Sequence, residues 1–238
     1  MRAIILAAGA GTRLSPLTDQ CPKCLVPVGD RRLIDFQIGA LRAAGADDIV
    51  LVVGYEADQV KAHCGDGVRY IDNPDFRSTN SIYSLYLAAG ELECDTFLFN
   101  CDILFDSGLL RRMLDAGTPN AVAVDSRVER VAGEMNVAFD PDGRVRAINK
   151  RLAPRESQAQ SVQLVKFDAE GARAVGAEVG RLVAEDQKDA FPTSAYGPLI
   201  DAGRLFAVEA GDLVWGEIDT VEDYDNAIAG VLPRLGSD

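Results

Sequence analysis

Short apolar runs alternate with segments of helical periodicity along the first two thirds of the chain. Residues 2–7 are rich in Ile and Leu and end at Gly9-Ala10-Gly11, a pattern typical of a buried parallel strand before a glycine turn. Residues 33–44 carry apolar side chains on one helical face, and Gly45 ends this helix. The same patterns predict strands at 48–53, 68–71, 96–100, 121–124, 136–139, 145–148 and 161–167. They predict helices at 57–64, 81–92 (capped by Asn80 or Ser81), 109–114, 169–184 (capped by Asp168) and 221–232.

This alternation predicts an α/β fold. We expect a single Rossmann-like domain with a central, mainly parallel (mixed) sheet flanked by helices. Ligands of such sheets bind beyond the carboxyl ends of the strands. The residues that directly follow the predicted strands are therefore the first candidates for a functional site.

Length and charge exclude several classes of protein. The chain has 238 residues, of which 47% are hydrophobic, and this fits one large domain. No apolar run approaches the roughly 20 residues that a bilayer span needs. The net charge of −13 does not suit nucleic acid or anionic lipid, where a basic surface provides most of the affinity. We expect a cytoplasmic protein that binds neither nucleic acid nor membranes; a homodimer is compatible with the sequence.

The cysteines and the single histidine do not favour a hydrolase or redox centre. The five cysteines are an odd number and no export signal precedes them, so we expect reduced thiols. Cys21-Pro22-Lys23-Cys24 could be a redox pair or half a zinc site. However, no strand leads directly into it, and no second C-x-x-C or histidine pair completes a zinc site. His63 lies in a predicted helix, where a packing or surface role is the simpler interpretation.

The first predicted strand runs into a glycine-rich loop. Residues 6–14 read Leu-Ala-Ala-Gly-Ala-Gly-Thr-Arg-Leu, and successive N–H groups in such a turn can bind an anion. Arg13 adds a forked positive charge suited to phosphate. Position 14 is Leu, so the dinucleotide fingerprint G-x-G-x-x-G is absent, and so is the P-loop. A plain tight turn is the structural alternative.

A second basic side chain lies in a loop that we expect to be stiff. Lys23 stands between Pro22 and Pro27, and proline fixes φ on both sides of it. A single lysine is usually a surface residue. A lysine held in a stiff loop close to Arg13 in sequence instead indicates a fixed charge for an anionic ligand.

These two segments resemble a known signature. L-A-A-G-x-G-T-R-L followed by P-K-x-L-x-P is similar to the signature of the nucleotidyltransferases that make activated sugars and alcohols. The resemblance continues at Val53-Gly54-Tyr55, at Asn100-Cys101-Asp102 and at residues 217–224, so it covers nearly the whole chain. Residues 79–88 are similar to the branch of bacterial phosphocholine and aminoalkylphosphonate cytidylyltransferases.

The resemblance implies one nucleotidyltransferase domain over residues 1–238. Its nucleotide-binding part is expected at about 1–125, and its acceptor- and metal-binding part at about 126–238. The family joins a phosphate monoester or a phosphonate to the α-phosphorus of a nucleoside triphosphate and releases pyrophosphate. The nucleophile is already an oxyanion, so catalysis rests on positioning and on positive charge rather than on a strong base.

Three basic residues are expected to be catalytic. The resemblance implies that Arg13 lies near the leaving β- and γ-phosphates and that Lys23 contacts the α-phosphate and the incoming oxygen. Lys150 follows a predicted strand among other basic residues, and related enzymes use a lysine in this region to contact the acceptor phosphate. A solvated basic edge is the alternative for Lys150.

A divalent cation has to supply the remaining positive charge. Mg²⁺ prefers one or two carboxylates together with phosphate oxygens and water. Asp102, just beyond a predicted strand, is the first expected ligand, and Asp219 is the second by resemblance to the family's aspartate pair. Either carboxylate could instead cap a helix.

The resemblance also implies contacts to the base and the acceptor. The predicted nucleotide-binding residues are Leu6, Ala7, Ala8, Gly9, Gly11, Thr12, Gly54, Tyr55, Thr79, Asn80 and Ser81. A cationic acceptor head group would need an aromatic cage or a carboxylate. The candidates are Tyr83, Tyr196 and Trp215, each of which could equally be a core residue, and Glu134. Phosphocholine enzymes carry a tryptophan near this place, from which Glu134-Met135 departs, so 2-aminoethylphosphonate or another phospho-alcohol competes with phosphocholine.

The leading hypothesis is a Mg²⁺-dependent cytidylyltransferase that condenses CTP with a small phospho-alcohol or phosphonate. A sugar-1-phosphate nucleotidyltransferase using UTP, dTTP or GTP is the nearest alternative. A non-catalytic nucleotide-binding regulatory module is the alternative from another class. Residues 1–32 and 142–155 carry net charges of +3 and +4, which concentrates positive charge in the two segments assigned to phosphates.

Overall fold

The structure is a computed structural model that describes residues 1–235. The strands are β1 (Arg2–Ala7), β2 (Pro27–Val28), β3 (Arg31–Arg32), β4 (Asp48–Val53), β5 (Arg69–Asp72), β6 (Thr96–Asn100), β7 (Ile103–Phe105), β8 (Asn120–Asp125), β9 (Asn136–Phe139), β10 (Val145–Asn149), β11 (Ala159–Phe167), β12 (Leu205–Glu209) and β13 (Trp215–Glu217). The helices are α1 (Leu33–Ala43), α2 (Ala57–Cys64), α3 (Ser81–Leu87), α4 (Gly108–Asp115), α5 (Ala169–Ala184), α6 (Gly197–Asp201) and α7 (Val221–Asn226). No helix within this range is long and apolar enough to cross a bilayer.

Within residues 1–235, nine strands form a central sheet. Seven follow the order β10-β9-β11-β6-β1-β4-β5, while β8 pairs with β11 and β12 pairs with β8. Strand β1 is parallel to both β4 and β6, and β4 is parallel to β5. Strand β11 is antiparallel to β6, β8 and β9. The predicted α/β fold with a mixed sheet and flanking helices is confirmed, and the parallel strands lie around β1.

Alternate residues of the parallel strands enter two cores, one on each face of the sheet. Ile5 and Ala7 of β1 pack on one face with residues of α1, α2 and α4. Ile4 and Leu6 pack on the other face with residues of α3 and α5. Because both faces are covered, these strands are apolar almost throughout, and this is the pattern from which they were predicted.

The chain reverses its direction across the sheet beside β1. It passes from β1 through α1 to β4 and through α2 to β5 on one face, and then returns through α3 on the other face to β6. Strands β4 and β5 thus lie on one side of β1 and β6 lies on the other, so the strand order reverses at the β1–β6 pair. Such a switch point opens a crevice at the carboxyl ends of the strands. The glycine-rich loop and Asp102 both lie at this crevice.

Most differences from the sequence prediction concern short elements. Strands β2, β3, β7 and β13 were not predicted, because two or three residues are too few for a periodic pattern, and the five-residue strand β12 was missed as well. The predicted helix 81–92 ends at Leu87 and continues as a 3₁₀ turn, Ala89–Glu91. The predicted helix 221–232 is α-helical only to Asn226. A π-helical turn, Ala227–Val231, and a 3₁₀ turn, Leu232–Arg234, follow it, and Pro233 in the latter has no N–H to continue a helix.

Helix α5 begins as predicted, at a cap that also joins it to the sheet. Asp168 Oδ1 accepts a hydrogen bond of 2.6 Å from the Gly171 N–H. The buried Asn120 of β8 packs against the same turn, where its Oδ1 accepts a hydrogen bond from the Asp168 N–H. A Cβ added at Gly171 would lie 1.9 Å from Asn120 Oδ1, so only glycine fits here.

Two glycines of α5 should therefore respond oppositely to alanine. Gly180→Ala should raise the free energy of unfolding by about 0.5–1 kcal/mol, since a Cβ there meets no atom of residues 1–235 within 4 Å and alanine favours the helix. Gly171→Ala should lower it by about 1–3 kcal/mol, because Asn120 must move. Urea denaturation of both variants measures the two changes. Equal effects of the two substitutions would contradict the predicted clash.

Candidate active site

A cavity of about 290 Å³, called here the central cavity, lies at the switch point between β1 and β6. The residues that line it come mainly from the glycine-rich loop, the start of α3, the ends of β6 and β13, and the segments that follow β5 and β10. They are Leu6, Ala8, Gly9, Gly11, Thr12, Arg13, Lys23, Asn73, Phe76, Thr79, Asn80, Ser81, Ser84, Asn100, Cys101, Asp102, Lys150, Gln163, Phe191, Glu217 and Asp219.

The glycine-rich loop is shaped so that Arg13 reaches this cavity. Gly11 has φ +63°, and a Cβ at this position would lie 3.0 Å from Lys23 Cβ. The Leu14 N–H donates to the Gly11 carbonyl at 2.9 Å and closes a 3₁₀ turn, Thr12–Leu14, that carries Arg13. The Arg13 guanidinium contacts Asp219 at 2.6 Å, and its side chain is 67% exposed. Most of this cation is therefore accessible to a ligand.

Lys23 is buried and lies between two carboxylates. It begins a 3₁₀ turn, Lys23–Leu25, directly after Pro22. Its Nζ donates to Asp102 Oδ2 at 2.9 Å and to Asp219 Oδ1 at 2.5 Å. Burial by itself favours the neutral amine, but these two carboxylates outweigh it and raise the pKa of Lys23 above its usual value. Lys23 is thus a cation held in place by two carboxylates.

Three carboxylates converge beside Lys23. Asp102, Glu217 and Asp219 each offer an oxygen within 4.8 Å of the others. Strands β7 and β13 bring them together, since Glu217 pairs with Ile103 and the Ile218 N–H donates to the Asp102 carbonyl at 2.7 Å. We call Asp102, Glu217 and Asp219 the carboxylate trio.

The trio suits a hard divalent cation. All its donors are carboxylate oxygens, which Mg²⁺ prefers. Asp102 Oδ1 is buried and has no hydrogen-bond partner among residues 1–235. A buried carboxylate oxygen without a partner is costly, so this atom fits a ligand that the polypeptide does not provide.

Glu217 titrates abnormally because of its surroundings. Burial, followed by repulsion from Asp102 and Asp219, raises its pKa to about 7. The Asp219 pKa is lowered: burial opposes its charge, but Lys23 and Arg13 outweigh that effect. The cavity thus holds one carboxyl group that is neutral below pH 7 and one that remains charged.

Positive and negative charges balance in the central cavity when Glu217 is charged. Arg13, Lys23 and Lys150 line it together with the carboxylate trio. Lys150 Nζ lies 5.4 Å from the centre of the Phe191 ring, an aromatic wall that was not predicted. A polyphosphate added to this balanced set would be short of positive charge. A divalent cation would provide it.

The predicted base-binding residues Thr79, Asn80 and Ser81 form the cavity wall at the start of α3. Asn80 Oδ1 accepts from the Ser81 N–H, and Asn80 Nδ2 donates to the Asp189 carbonyl. Thr79 Oγ1 donates to the Asp75 carbonyl. Several of their polar groups thus already fix the local backbone; the helix cap by Asn80 was predicted, whereas the bonds to Asp75 and Asp189 were not.

Some predicted residues lie outside the central cavity. Ala7 packs into the core behind the loop. Gly54 and Tyr55 support the loop from outside, where the Tyr55 N–H donates to the Ala8 carbonyl at 3.0 Å. The Tyr83 hydroxyl donates to Asp75, and its ring stacks on Tyr86.

The two remaining aromatic acceptor candidates are also absent from the central cavity. Tyr196 is 2% exposed and packs edge-on against Phe167, so the structure makes it a core residue rather than a cage wall. The Trp215 indole N–H donates to Asp125 at 3.0 Å, which fixes its ring outside the central cavity. Local sequence cannot distinguish a core aromatic from a cage aromatic, because both are apolar positions in a strand or turn.

Glu134 and Trp215 line a neighbouring cavity of about 460 Å³, called here the outer cavity. It meets the central cavity at Arg13, Glu217 and Asp219, which line both. Glu134 is exposed at this cavity. The two acceptor candidates therefore lie in a cavity that adjoins the central cavity at Arg13 and two members of the carboxylate trio.

Sequence reasoning missed eight residues of the central cavity: Asn73, Phe76, Ser84, Asn100, Cys101, Gln163, Phe191 and Glu217. Asn100 and Glu217 each lie two residues before a predicted metal ligand, within segments that carried the family resemblance. Their positions could have indicated them. Gln163 and Phe191 lie in stretches without any motif, and only the tertiary structure brings them to the site.

The fold, the glycine-rich loop and the clustered charges define a nucleotidyltransferase. Residues 3–178 match the MobA-like NTP transferase domain, and the chain belongs to this family. It is 30% identical to the CTP:phosphoglutamine cytidylyltransferase of Campylobacter jejuni over 94% of this chain and 98% of that protein.

Two further comparisons also relate the chain to cytidylyltransferases. The chain is 40% identical to the choline-phosphate cytidylyltransferase of Streptococcus pneumoniae, but over only 50% of this chain and 52% of that protein. The chain therefore spans about half the length of that relative. The solved structure of a CTP:phosphocholine cytidylyltransferase from Streptococcus pneumoniae superimposes with a TM-score of 0.80 and 28% identity, covering 96% of this chain and 97% of that one. Glucose-1-phosphate uridylyl- and thymidylyltransferases are also among the relatives.

Glu217→Gln tests the electrostatics of the trio. The raised pKa means that the folded protein holds this proton more tightly than the unfolded chain. Above about pH 7 Glu217 is charged in the folded protein and destabilises it. Below about pH 4.5 it is protonated in both the folded and the unfolded state, so this destabilisation is absent. Without divalent cations, Glu217→Gln should raise the free energy of unfolding by about 1–3 kcal/mol at pH 8, and the gain should vanish near pH 4.5.

Urea denaturation in a chelator at several pH values between 4.5 and 8 measures this difference. Glu222→Gln is the matched control, because Glu222 is exposed on α7 and its removal should show no such trend. A stabilisation by Glu217→Gln that does not change with pH would contradict the assigned pKa.

Proposed function

We propose that this protein is a Mg²⁺-dependent cytidylyltransferase that joins CTP to a small phospho-alcohol or phosphonate and releases pyrophosphate. The observation that carries the proposal is the meeting of Arg13, Lys23 and the carboxylate trio beside the glycine-rich loop. These are the charges that phosphoryl chemistry needs around an α-phosphate. The CTP-dependent relatives favour cytidine as the base.

In this reaction an acceptor oxyanion attacks the α-phosphorus of CTP. The bond between this phosphorus and the oxygen that bridges the α- and β-phosphates breaks, and pyrophosphate leaves with that oxygen. Arg13 faces the cavity with most of its guanidinium free, which suits the departing pyrophosphate. Lys23 lies at the trio, where it would contact the α-phosphate and the incoming oxygen. Lys150, which lines the same cavity, would contact the acceptor phosphate. Mg²⁺ held by the trio supplies further positive charge when bound.

The outer cavity is the proposed place of the acceptor head group. It opens beside the trio, so an acceptor in it would direct its phosphate towards the α-phosphorus. Glu134 provides a carboxylate for a primary amine. The Trp215 ring, held by Asp125, provides a fixed apolar wall. These features favour an amine-bearing acceptor such as 2-aminoethylphosphonate, with phosphocholine next.

A sugar-1-phosphate nucleotidyltransferase remains the second candidate. Glucose-1-phosphate nucleotidyltransferases are relatives that cover most of this chain. Such an enzyme would use UTP, dTTP or GTP with the same charged groups. The choice of base and acceptor therefore separates the two candidates.

Substrate choice can be tested with the purified protein and Mg²⁺. Each of CTP, UTP, dTTP and GTP is combined with phosphocholine, 2-aminoethylphosphonate or glucose 1-phosphate, and pyrophosphate release is measured. CTP with a phospho-alcohol or phosphonate should be the best pair.

Glu134→Gln should raise KM for an amine-bearing acceptor and leave KM for CTP unchanged, while Glu129→Gln on the same loop is the matched control. No CTP turnover with any small acceptor would sink the proposal.

Lys23→Ala should reduce turnover by about a hundredfold or more, since a preorganised charge at the reacting phosphate is lost. The same assay measures this, and circular dichroism should find the fold intact. Lys61→Ala is the control, because Lys61 only forms a surface ion pair with Asp72. Unchanged turnover in Lys23→Ala would rule out the proposed role.

A further inference from the structure

Strand β11 is irregular where it passes the carboxylate trio. Ser161 pairs with Val124 of β8 and Val165 pairs with Val122, so β11 has more residues than its partner between these points. Gln163, in the middle of this bulge, has φ +62°. Glycine adopts this left-handed conformation far more readily than a residue with a side chain. A glutamine here raises the question of what its side chain does.

The Gln163 amide bridges two walls of the central cavity. Asn100 Nδ2 donates to Gln163 Oε1 at 2.9 Å, and Gln163 Nε2 donates to Glu217 Oε2 at 2.7 Å. The backbone N–H of Gln163 donates to Ser161 Oγ at 2.9 Å. When Glu217 is charged, the amide nitrogen faces Glu217 and the amide oxygen faces Asn100, so one side chain joins the two walls.

Glu217 needs such a support. It lies at the end of β13, which pairs only with β7 in a two-stranded sheet within residues 1–235. It also lies between the two cavities, both of which it lines. Two neighbouring carboxylates repel it, and an unsupported side chain would turn away from them.

We propose that Gln163 is a positioning residue that holds the Glu217 carboxylate beside Asp102 and Asp219 and thereby sets the affinity of the trio for a divalent cation. This inference rests on the proposed function, in which the trio binds Mg²⁺. The bulge and its left-handed residue aim the side chain at Glu217, a direction that a regular strand would not give. Supporting side chains of this kind commonly change metal affinity by about 10–100-fold.

The experiment measures binding of Mn²⁺ alone, by electron paramagnetic resonance of the free ion, together with Tm in a chelator. Gln163→Gly removes the amide and eases the backbone. Its dissociation constant for Mn²⁺ should rise about tenfold while Tm stays level or increases. Gln163→Asn keeps an amide but places it on a shorter side chain, and asparagine tolerates the left-handed backbone. Its dissociation constant for Mn²⁺ should therefore lie between those of the wild type and Gln163→Gly.

Asp186→Gly is the matched control. Asp186 also has a left-handed φ of +63°, and its side chain is 92% exposed in the turn after α5. Glycine there should ease the backbone in the same way and leave Mn²⁺ binding unchanged. A loss of affinity confined to Gln163→Gly therefore belongs to the lost side chain and not to a change of backbone flexibility.

A double variant shows whether Gln163 acts through Glu217. In a Glu217→Gln background, Gln163→Gly should change Mn²⁺ affinity less than twofold, because the group that it holds is no longer a carboxylate ligand. Unchanged affinity in the single variant, or an equal loss in both backgrounds, would overturn the inference. Wild-type protein that binds Mn²⁺ but turns over no CTP would instead reject the proposed function and leave the positioning role intact.

Discussion

The ammonium of Lys23 between Asp102 and Asp219 is the interaction on which the rest of the site depends. Three carboxylates cannot crowd together in a partly buried space without a compensating cation. Lys23 provides it from a proline-stiffened turn that packs against Gly11 of the glycine-rich loop. The loop, the end of β6 and the β7–β13 pair are thus joined by one set of charges. Among residues 1–235 the same set leaves Asp102 Oδ1 without a hydrogen-bond partner, and the repulsion of Glu217 by Asp102 and Asp219 would be relieved by a bound cation.

Local charge balance, rather than the charge of the whole chain, determines what this site can bind. The net charge of −13 would repel a nucleoside triphosphate, yet three basic residues line the central cavity. The basic segment 142–155 contributes only Lys150 to it. Arg144 and Arg146 of that segment pair with Asp142 and Asp140 of their own hairpin. The net segment charge therefore overstated the positive charge available to phosphate, and a divalent cation becomes the more necessary.

Much of the fold was predictable because its strands are buried on both faces. Strands β1, β4 and β6 have continuous apolar runs, and the loops after β1 and β6 hold the motif residues. Their meeting at one crevice follows from the topology of parallel strands. The aromatic acceptor candidates were less predictable. Tyr196 fills the core and Trp215 faces a different cavity, because an apolar position in a sequence does not reveal which surface covers it.

The sequence by itself determined the strand ends, the glycine-rich loop and the identity of the charged residues Arg13, Lys23, Asp102 and Asp219. These follow from periodicity and contiguous motifs, which act over a few residues. Only the tertiary structure decided that Lys23 pairs with both aspartates, that Glu217 joins them and that Gln163 holds Glu217 in place. Those contacts link positions between 54 and 196 residues apart. Their formation depends on strand pairing and on a bulge in β11, and neither of these has a local signature in the sequence.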